Sequence, residues 1–180
     1  MPEPVRPLRR GAVTPPVHVP PEQTTVPRYP GAVAGAAGRA PHLVVVAAPA
    51  PVPPLRAGDR CARLAAGADP GALLDRELAR LVTGWRILVV GTEARAQEVR
   101  AAALARGARD DELVLTPTDL ADTARDRIVS CGHCHHRFTA RADPGDALGC
   151  PGCGLVVHLA AHFSRRLAAW LGAPTPERAR

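Results

Sequence analysis

The sequence predicts an α/β protein: a small Rossmann-like parallel sheet, then a four-cysteine zinc ribbon and a C-terminal helix. Three observations lead there. Two Cys-x-x-C pairs, Cys131/Cys134 and Cys150/Cys153, stand about 15 residues apart, the spacing of a four-thiolate metal site. Short apolar runs alternate with stretches of helical periodicity between residues 42 and 115. The stretch His162-Phe-Ser-Arg-Arg-Leu-Ala-Ala-Trp-Leu171 places Phe163, Leu167, Trp170 and Leu171 on one helical stripe. The boundaries that follow are a proline-rich tail over residues 1–40, a degenerate Rossmann-like α/β domain over 41–126, and the ribbon with its amphipathic helix over 127–180.

Nothing in residues 1–40 has the pattern of a folded element. Prolines at 2, 4, 7, 15, 16, 20, 21, 27 and 30 forbid a helix and deprive a strand of donors. The stretch from Gly31 to Gly38 is small and flexible, so disorder or an extended polyproline-like path is expected, with a binding strap as the functional alternative. Order begins at His42-Leu-Val-Val-Val-Ala47, a run suited to a strand buried on both faces. After a proline-rich loop, Cys61-Ala-Arg-Leu-Ala-Ala66 reads as another strand, with Cys61 as a small core residue.

Asp69-Pro70 marks a helix start, aspartate as cap and proline in the first turn. Leu73, Leu74, Leu78, Leu81 and Val82 extend that helix as far as Gly84. Arg86-Ile-Leu-Val-Val-Gly91 is the clearest strand, Thr92 caps a second helix running to about Arg106, and Gly107 stops it. Glu112-Leu-Val-Leu115 closes the series. Strands separated by helices imply a parallel sheet with right-handed crossovers. The turn Gly91-Thr-Glu-Ala-Arg-Ala96 has one glycine, and Glu93 stands where a phosphate would sit. A scaffolding sheet without a bound cofactor is the expectation.

In the ribbon, Arg127–Ser130, Arg137–Ala140 and Leu155–His158 read as strands around the two cysteine turns, with Arg141-Ala-Asp-Pro-Gly-Asp146 as the turn between them. Each Cys-x-x-C turn aims two sulfurs at one point, and two facing turns close a tetrahedron. Cys131, Cys134, Cys150 and Cys153 are therefore the predicted ligands of a structural Zn²⁺. Four thiolates also hold iron, singly or as a cluster, but Phe138 is the only aromatic shield in the stretch, which favours zinc. His133, His135 and His136 are expected at the surface. So small a ribbon buries too little to fold alone, and the metal would supply much of its folding free energy.

Composition narrows the function without choosing it. The 180 residues carry a formal charge of +6 and a pI of about 9.9, every basic side chain an arginine, which permits an acidic protein or a nucleic acid as partner. Aromatics are only 3%, leaving few stacking platforms for bases, and the arginines are scattered among acids, so a nucleic-acid-binding ribbon is the runner-up. No run approaches a membrane span, and prolines interrupt any signal-like core after Arg6, Arg9 and Arg10. Five cysteines, four of them metal-spaced, fit a reducing cytoplasm and not a disulfide framework. Four cysteines leave no open position for a catalytic zinc, and no nucleophile–base pair stands out, so no catalytic residue is assigned.

Cys-Gly-His-Cys at 131, Cys-Pro-Gly-Cys-Gly at 150, His162-Phe-Ser-Arg-Arg166 and the terminal Leu171-Gly172 together resemble the DmmA-type subunit of bacterial dimethylamine monooxygenase. Residues 86–115 are similar to the late nucleotide-domain segment of ferredoxin reductases, but Val90-Gly91-Thr92 stands where Cys-Gly-Pro is usual. The resemblance implies an accessory subunit of a multicomponent enzyme that uses NADPH and O₂ to convert dimethylamine to methylamine and formaldehyde. It also implies that flavin, iron–sulfur and haem groups belong to partner reductase and oxygenase components.

Overall fold

The computed structural model describes residues 5–7, 25–29, 41–122 and 125–174. They fall into two compact units, one within residues 28–121, the other joining residues 122–174 with the amino-terminal pieces 5–7 and 25–27. The rest of the proline-rich segment lies outside the described residues, as does the chain after Pro174.

The first unit is a four-stranded, wholly parallel sheet in the order β2-β1-β3-β4, with β1 at His42–Ala47, β2 at Arg60–Leu64, β3 at Arg86–Gly91 and β4 at Leu113–Pro117. Central β1 is buried at every position, as its unbroken apolar run requires. Its Leu43, Val45 and Ala47 face a core completed by Leu73 and Leu74 of helix α1 (Pro70–Leu78) and by Ala96, Val99 and Ala103 of helix α2 (Glu93–Leu104). Val44 and Val46 face the other way, onto Ala50 and Val52 of the proline-rich β1–β2 connection. Both helices thus serve one face and an irregular loop serves the other. The sheet is not doubly wound.

Cap chemistry behaves as the sequence requires. Asp69 accepts hydrogen bonds from the N–H groups of Gly71 and Ala72, and Thr92 accepts one from Arg95. Gly107, at φ +90°, ends α2, with Ala108 donating its N–H back to the carbonyl of Ala103. The first helix, however, stops at Leu78, well before Gly84. Arg80 and Leu81 fold into tight turns on the carbonyls of Glu77 and Leu78, and Val82 is left 73% exposed. Cys61 is also exposed, a correction to its assignment as a core residue. Along Arg60–Leu64 only Ala62 and Leu64 turn inward, so strand alternation puts Cys61 and Arg63 on the solvent side.

The second unit is a five-stranded sheet in the order β6-β5-β9-β8-β7. Its strands are β5 (Asp126–Cys131), β6 (Arg137–Arg141), β7 (Ala147–Gly149), β8 (Val156–Ser164) and β9 (Ala169–Pro174). The expected C-terminal helix is absent: residues 156–174 form an antiparallel β8–β9 hairpin. Phe163 and Trp170 are direct cross-strand partners, their rings meeting edge to face with centroids 5.6 Å apart. They stand seven positions apart in the sequence. That interval is two turns of helix, but it is equally the distance across a hairpin with a four-residue loop, so periodicity alone does not distinguish the two.

Arg127 is buried beneath this pair, its guanidinium carbon 5.0 Å from the centre of the Trp170 ring. It donates to the carbonyl of Ala142 and pairs with Asp143 at 2.9 Å. The amino-terminal pieces pack here too. Val5 and Val26 lie against the core of the second unit, and Thr25 Oγ1 accepts the N–H of Phe163 at 2.7 Å.

Candidate metal centre

The two cysteine pairs sit on the tips of two hairpins. Cys131 closes β5 and the chain turns through Cys134 into β6; Cys150 follows β7 and the chain turns through Cys153 into β8. The two turns share one backbone design. Cys131 donates its N–H to the carbonyl of His136 and accepts from His135. Cys150 donates to the carbonyl of Leu155 and accepts from Gly154, the same two offsets. In each, the fifth residue is left-handed: Gly154 at φ +75° and His135 at φ +60°. Only the first of these turns puts a side chain in that conformation. Replacing His135 by glycine should therefore stabilise the metal-loaded protein by about 0.5–1 kcal/mol, read by chemical denaturation. An unchanged or lowered stability would contradict this.

The geometry brings all four predicted sulfurs together, each within 4.8 Å of the others. Cys131 Sγ lies 4.0 Å from Cys153 Sγ, and Cys134 Sγ 3.6 Å from Cys150 Sγ. A tetrahedron with metal–sulfur bonds of about 2.3 Å has edges of about 3.8 Å, so the quartet has the size of a tetrahedral four-sulfur site. No two of the cysteines are joined in a disulfide. Cys131 and Cys150 are buried, Cys134 and Cys153 half-buried, while His133, His135 and His136 are exposed as expected.

Packing between the tips is tight. A Cβ on Gly152 would lie 2.6 Å from the Cβ of His136, so the second tip needs glycine there for the first to pack over it. His136 in turn stacks on Phe138. On the other side, Gly132 donates its N–H to the carbonyl of Gly172, tying the first tip to β9. These contacts, and the short strand β7 that aligns Cys150, were not visible in the sequence.

The quartet is electrostatically uneven. Burial would push the Cys131 thiol up, but N–H groups of Cys134 and His133, with the Cys150 and Cys134 thiols, outweigh it and bring it down to about 7. At Cys153 the N–H of Leu155 pulls downward, but burial and the three neighbouring sulfurs together push the thiol up to about 12. The four thiols titrate as one coupled group, and an ion entering it at neutral pH displaces protons from the group as a whole.

In the α/β unit, the amino end of α2 already carries carboxylates. Asp119 Oδ1 accepts the N–H of Glu93 at 2.8 Å. Tyr29 donates its hydroxyl to Glu93 Oε1 at 3.1 Å and accepts from Gln97 Nε2 at 2.8 Å. Among the described residues, no helix is long and apolar enough to cross a membrane.

Fold and site define the second unit as a small β domain with a four-cysteine cluster, able to hold a metal ion, on two hairpin tips. Residues 122–173 match the family described as dimethylamine monooxygenase subunit DmmA-like, C-terminal domain. The match starts where the carboxy-terminal part of the second unit starts and ends inside its last strand. No curated protein and no solved structure matches the chain.

Proposed function

We propose that this chain is an accessory, non-catalytic subunit of a multicomponent NADPH- and O₂-dependent monooxygenase acting on a small methylated amine, dimethylamine in the family's case. In this reading the carboxy-terminal domain is a zinc ribbon, and Cys131, Cys134, Cys150 and Cys153 hold a structural Zn²⁺. The ion supplies a redox-silent, coordinatively saturated cross-link between two hairpin tips. Flavin, iron–sulfur and haem chemistry resides in partner reductase and oxygenase components, in the cytoplasm. The observation that carries the reading is a four-sulfur quartet inside a DmmA-like domain. Four thiolates complete the shell and leave no position for substrate or water.

The α/β unit supports the same role. Phosphate binding at a helix terminus needs free N–H groups and positive potential. At α2 one such N–H is engaged by Asp119, and Glu93 adds a second buried carboxylate. A scaffolding function fits that chemistry better than nucleotide binding. Against the nucleic-acid alternative, Phe138, Phe163 and Trp170 of the carboxy-terminal domain are all buried, so none of them offers a stacking face.

Co-expression with reductase and oxygenase components of such a monooxygenase is expected to yield a stable complex. A clean monomer that instead binds RNA with steep salt dependence would favour the alternative. Because zinc must displace thiol protons, affinity should fall with acidification. Between about pH 7.5 and about pH 5.5 the loss should be at least roughly a thousandfold, measured by competition with a chromophoric chelator. An affinity indifferent to pH would contradict thiolate ligation.

A further inference from the structure

The quartet holds more order than tetrahedral ligation requires. Each tip has one buried and one half-buried cysteine, Cys131 with Cys134 and Cys150 with Cys153. Across the tips the unlike members face each other. Cys134 Sγ lies 3.6 Å from Cys150 Sγ, and Cys153 Sγ lies 4.0 Å from Cys131 Sγ. Cys134 stands between the exposed His133 and His135, and Cys153 between the exposed Gly152 and Gly154. A small solute therefore meets Cys134 or Cys153 first, with a buried cysteine of the other tip close behind it.

Metal ligation keeps all four sulfurs as thiolates, the form that attacks an oxidant. An accessible thiolate with a second sulfur in reach reacts with peroxide in two steps, first to a sulfenic acid and then to a disulfide. Which disulfide forms decides what happens to the fold. Within one turn, Cys131–Cys134 or Cys150–Cys153, it would leave the two tips unlinked. Across the tips it replaces the metal's cross-link with a covalent one, and sulfurs 3.6 Å apart need to close by only about 1.6 Å to reach the S–S bond length. Leu148, Val157 and Trp170, packed with Cys131 and Cys150 in one core, then keep their neighbours.

We propose that the four cysteines form a peroxide-responsive exchange centre, in which a Cys134–Cys150 disulfide replaces the metal as the clamp between the hairpin tips. Cys134 attacks one oxygen of hydrogen peroxide; the O–O bond breaks, an S–O bond forms, and hydroxide leaves. Cys150 then attacks the Cys134 sulfur; the S–S bond forms, and the S–O bond breaks with loss of a second hydroxide. Two thiolates have given up two electrons, peroxide has taken them, and two solvent protons complete two waters. The quartet now offers the ion two thiolates in place of four, so the ion is lost. With more peroxide, Cys131 and Cys153 close the second disulfide in the same way. A dithiol reductant and fresh zinc reverse the exchange. The inference rests on the zinc reading of the site and is independent of the subunit reading.

The test uses the full chain carrying Cys61→Ser, so that only the quartet's thiols react. The zinc-loaded protein is treated with hydrogen peroxide, and zinc release is followed with a weak metallochromic indicator. About one zinc should appear for about every two thiols lost. Trypsin cuts after Arg137 and Arg141 and so separates the tips, and non-reducing peptide mapping should find them joined through Cys134 and Cys150. Buried Trp170 should keep its near-ultraviolet signal after peroxide and lose it after a strong chelator, although both treatments remove the metal. Unlinked tip peptides, a disulfide confined to one turn, or loss of the Trp170 signal together with the zinc overturns the proposal and leaves the zinc site standing. Native iron in place of zinc overturns the site reading and this inference with it.

Discussion

Replacing Cys150 by serine is expected to strip the metal and abolish cooperative folding of the carboxy-terminal domain. Cys150 is buried, and its sulfur lies 3.6 Å from that of Cys134. Serine puts a weak ligand in the shell and a hydroxyl in an apolar surrounding. Structural zinc in small domains contributes on the order of 10–16 kcal/mol, more than the entire stability of an ordinary domain. The core around the site is small and includes Cys131 and Cys150 themselves, so nothing nearby replaces that contribution. The near-ultraviolet signal of buried Trp170 should collapse. The α/β unit, whose two core clusters contain no residue of the metal domain, should keep its own unfolding transition. A strong chelator acting on the unmodified protein should reproduce the loss. Cys61→Ser is the control and should change nothing, because Cys61 is exposed on edge strand β2. A Cys150→Ser protein that keeps its metal and its Trp170 signal would contradict this.

Trp170→Ala is expected to cost about 3–5 kcal/mol, as large-to-small changes of buried aromatics do. Three contacts go at once: the edge-to-face pair with Phe163, the cover over the Arg127 guanidinium, and apolar packing against the core. Arg127 is 2% exposed, and losing the ring leaves a buried charge beside a cavity. Trp170→Phe should recover part of the loss. The neighbouring Leu171→Ala makes the comparison decisive. On a helical stripe the two positions would face the same core and cost similar amounts. On strand β9 they point to opposite faces, and Leu171 is 36% exposed, so its truncation should cost less than about 1 kcal/mol. Urea denaturation of the two variants separates these outcomes, and equal losses would contradict the hairpin.

What the sequence showed, and what it hid, follows from how local each signal is. Asp69, Thr92 and Gly107 act within a few residues of themselves, so caps and stops could be read directly. The same holds for Cys131, Cys134, Cys150 and Cys153, whose spacing anticipates the cluster that the hairpin tips assemble. The β8–β9 hairpin depends on pairing across a turn, and alanine-rich residues 167–169 carry no strong strand preference of their own. The alternation in Arg60–Leu64 already placed Cys61 beside the outward-facing Arg63, a signal overridden by the expectation that a lone cysteine is buried. The contacts of Val5, Thr25 and Tyr29 bridge long sequence separations and left no periodic trace.

Metal analysis of the purified full chain, with its visible absorption spectrum, tests the central claim most directly. One zinc per chain and a colourless protein are predicted, since four thiolates around a filled d shell have no visible transitions. Stoichiometric iron with strong visible absorption would contradict it and give these cysteines a part in electron transfer.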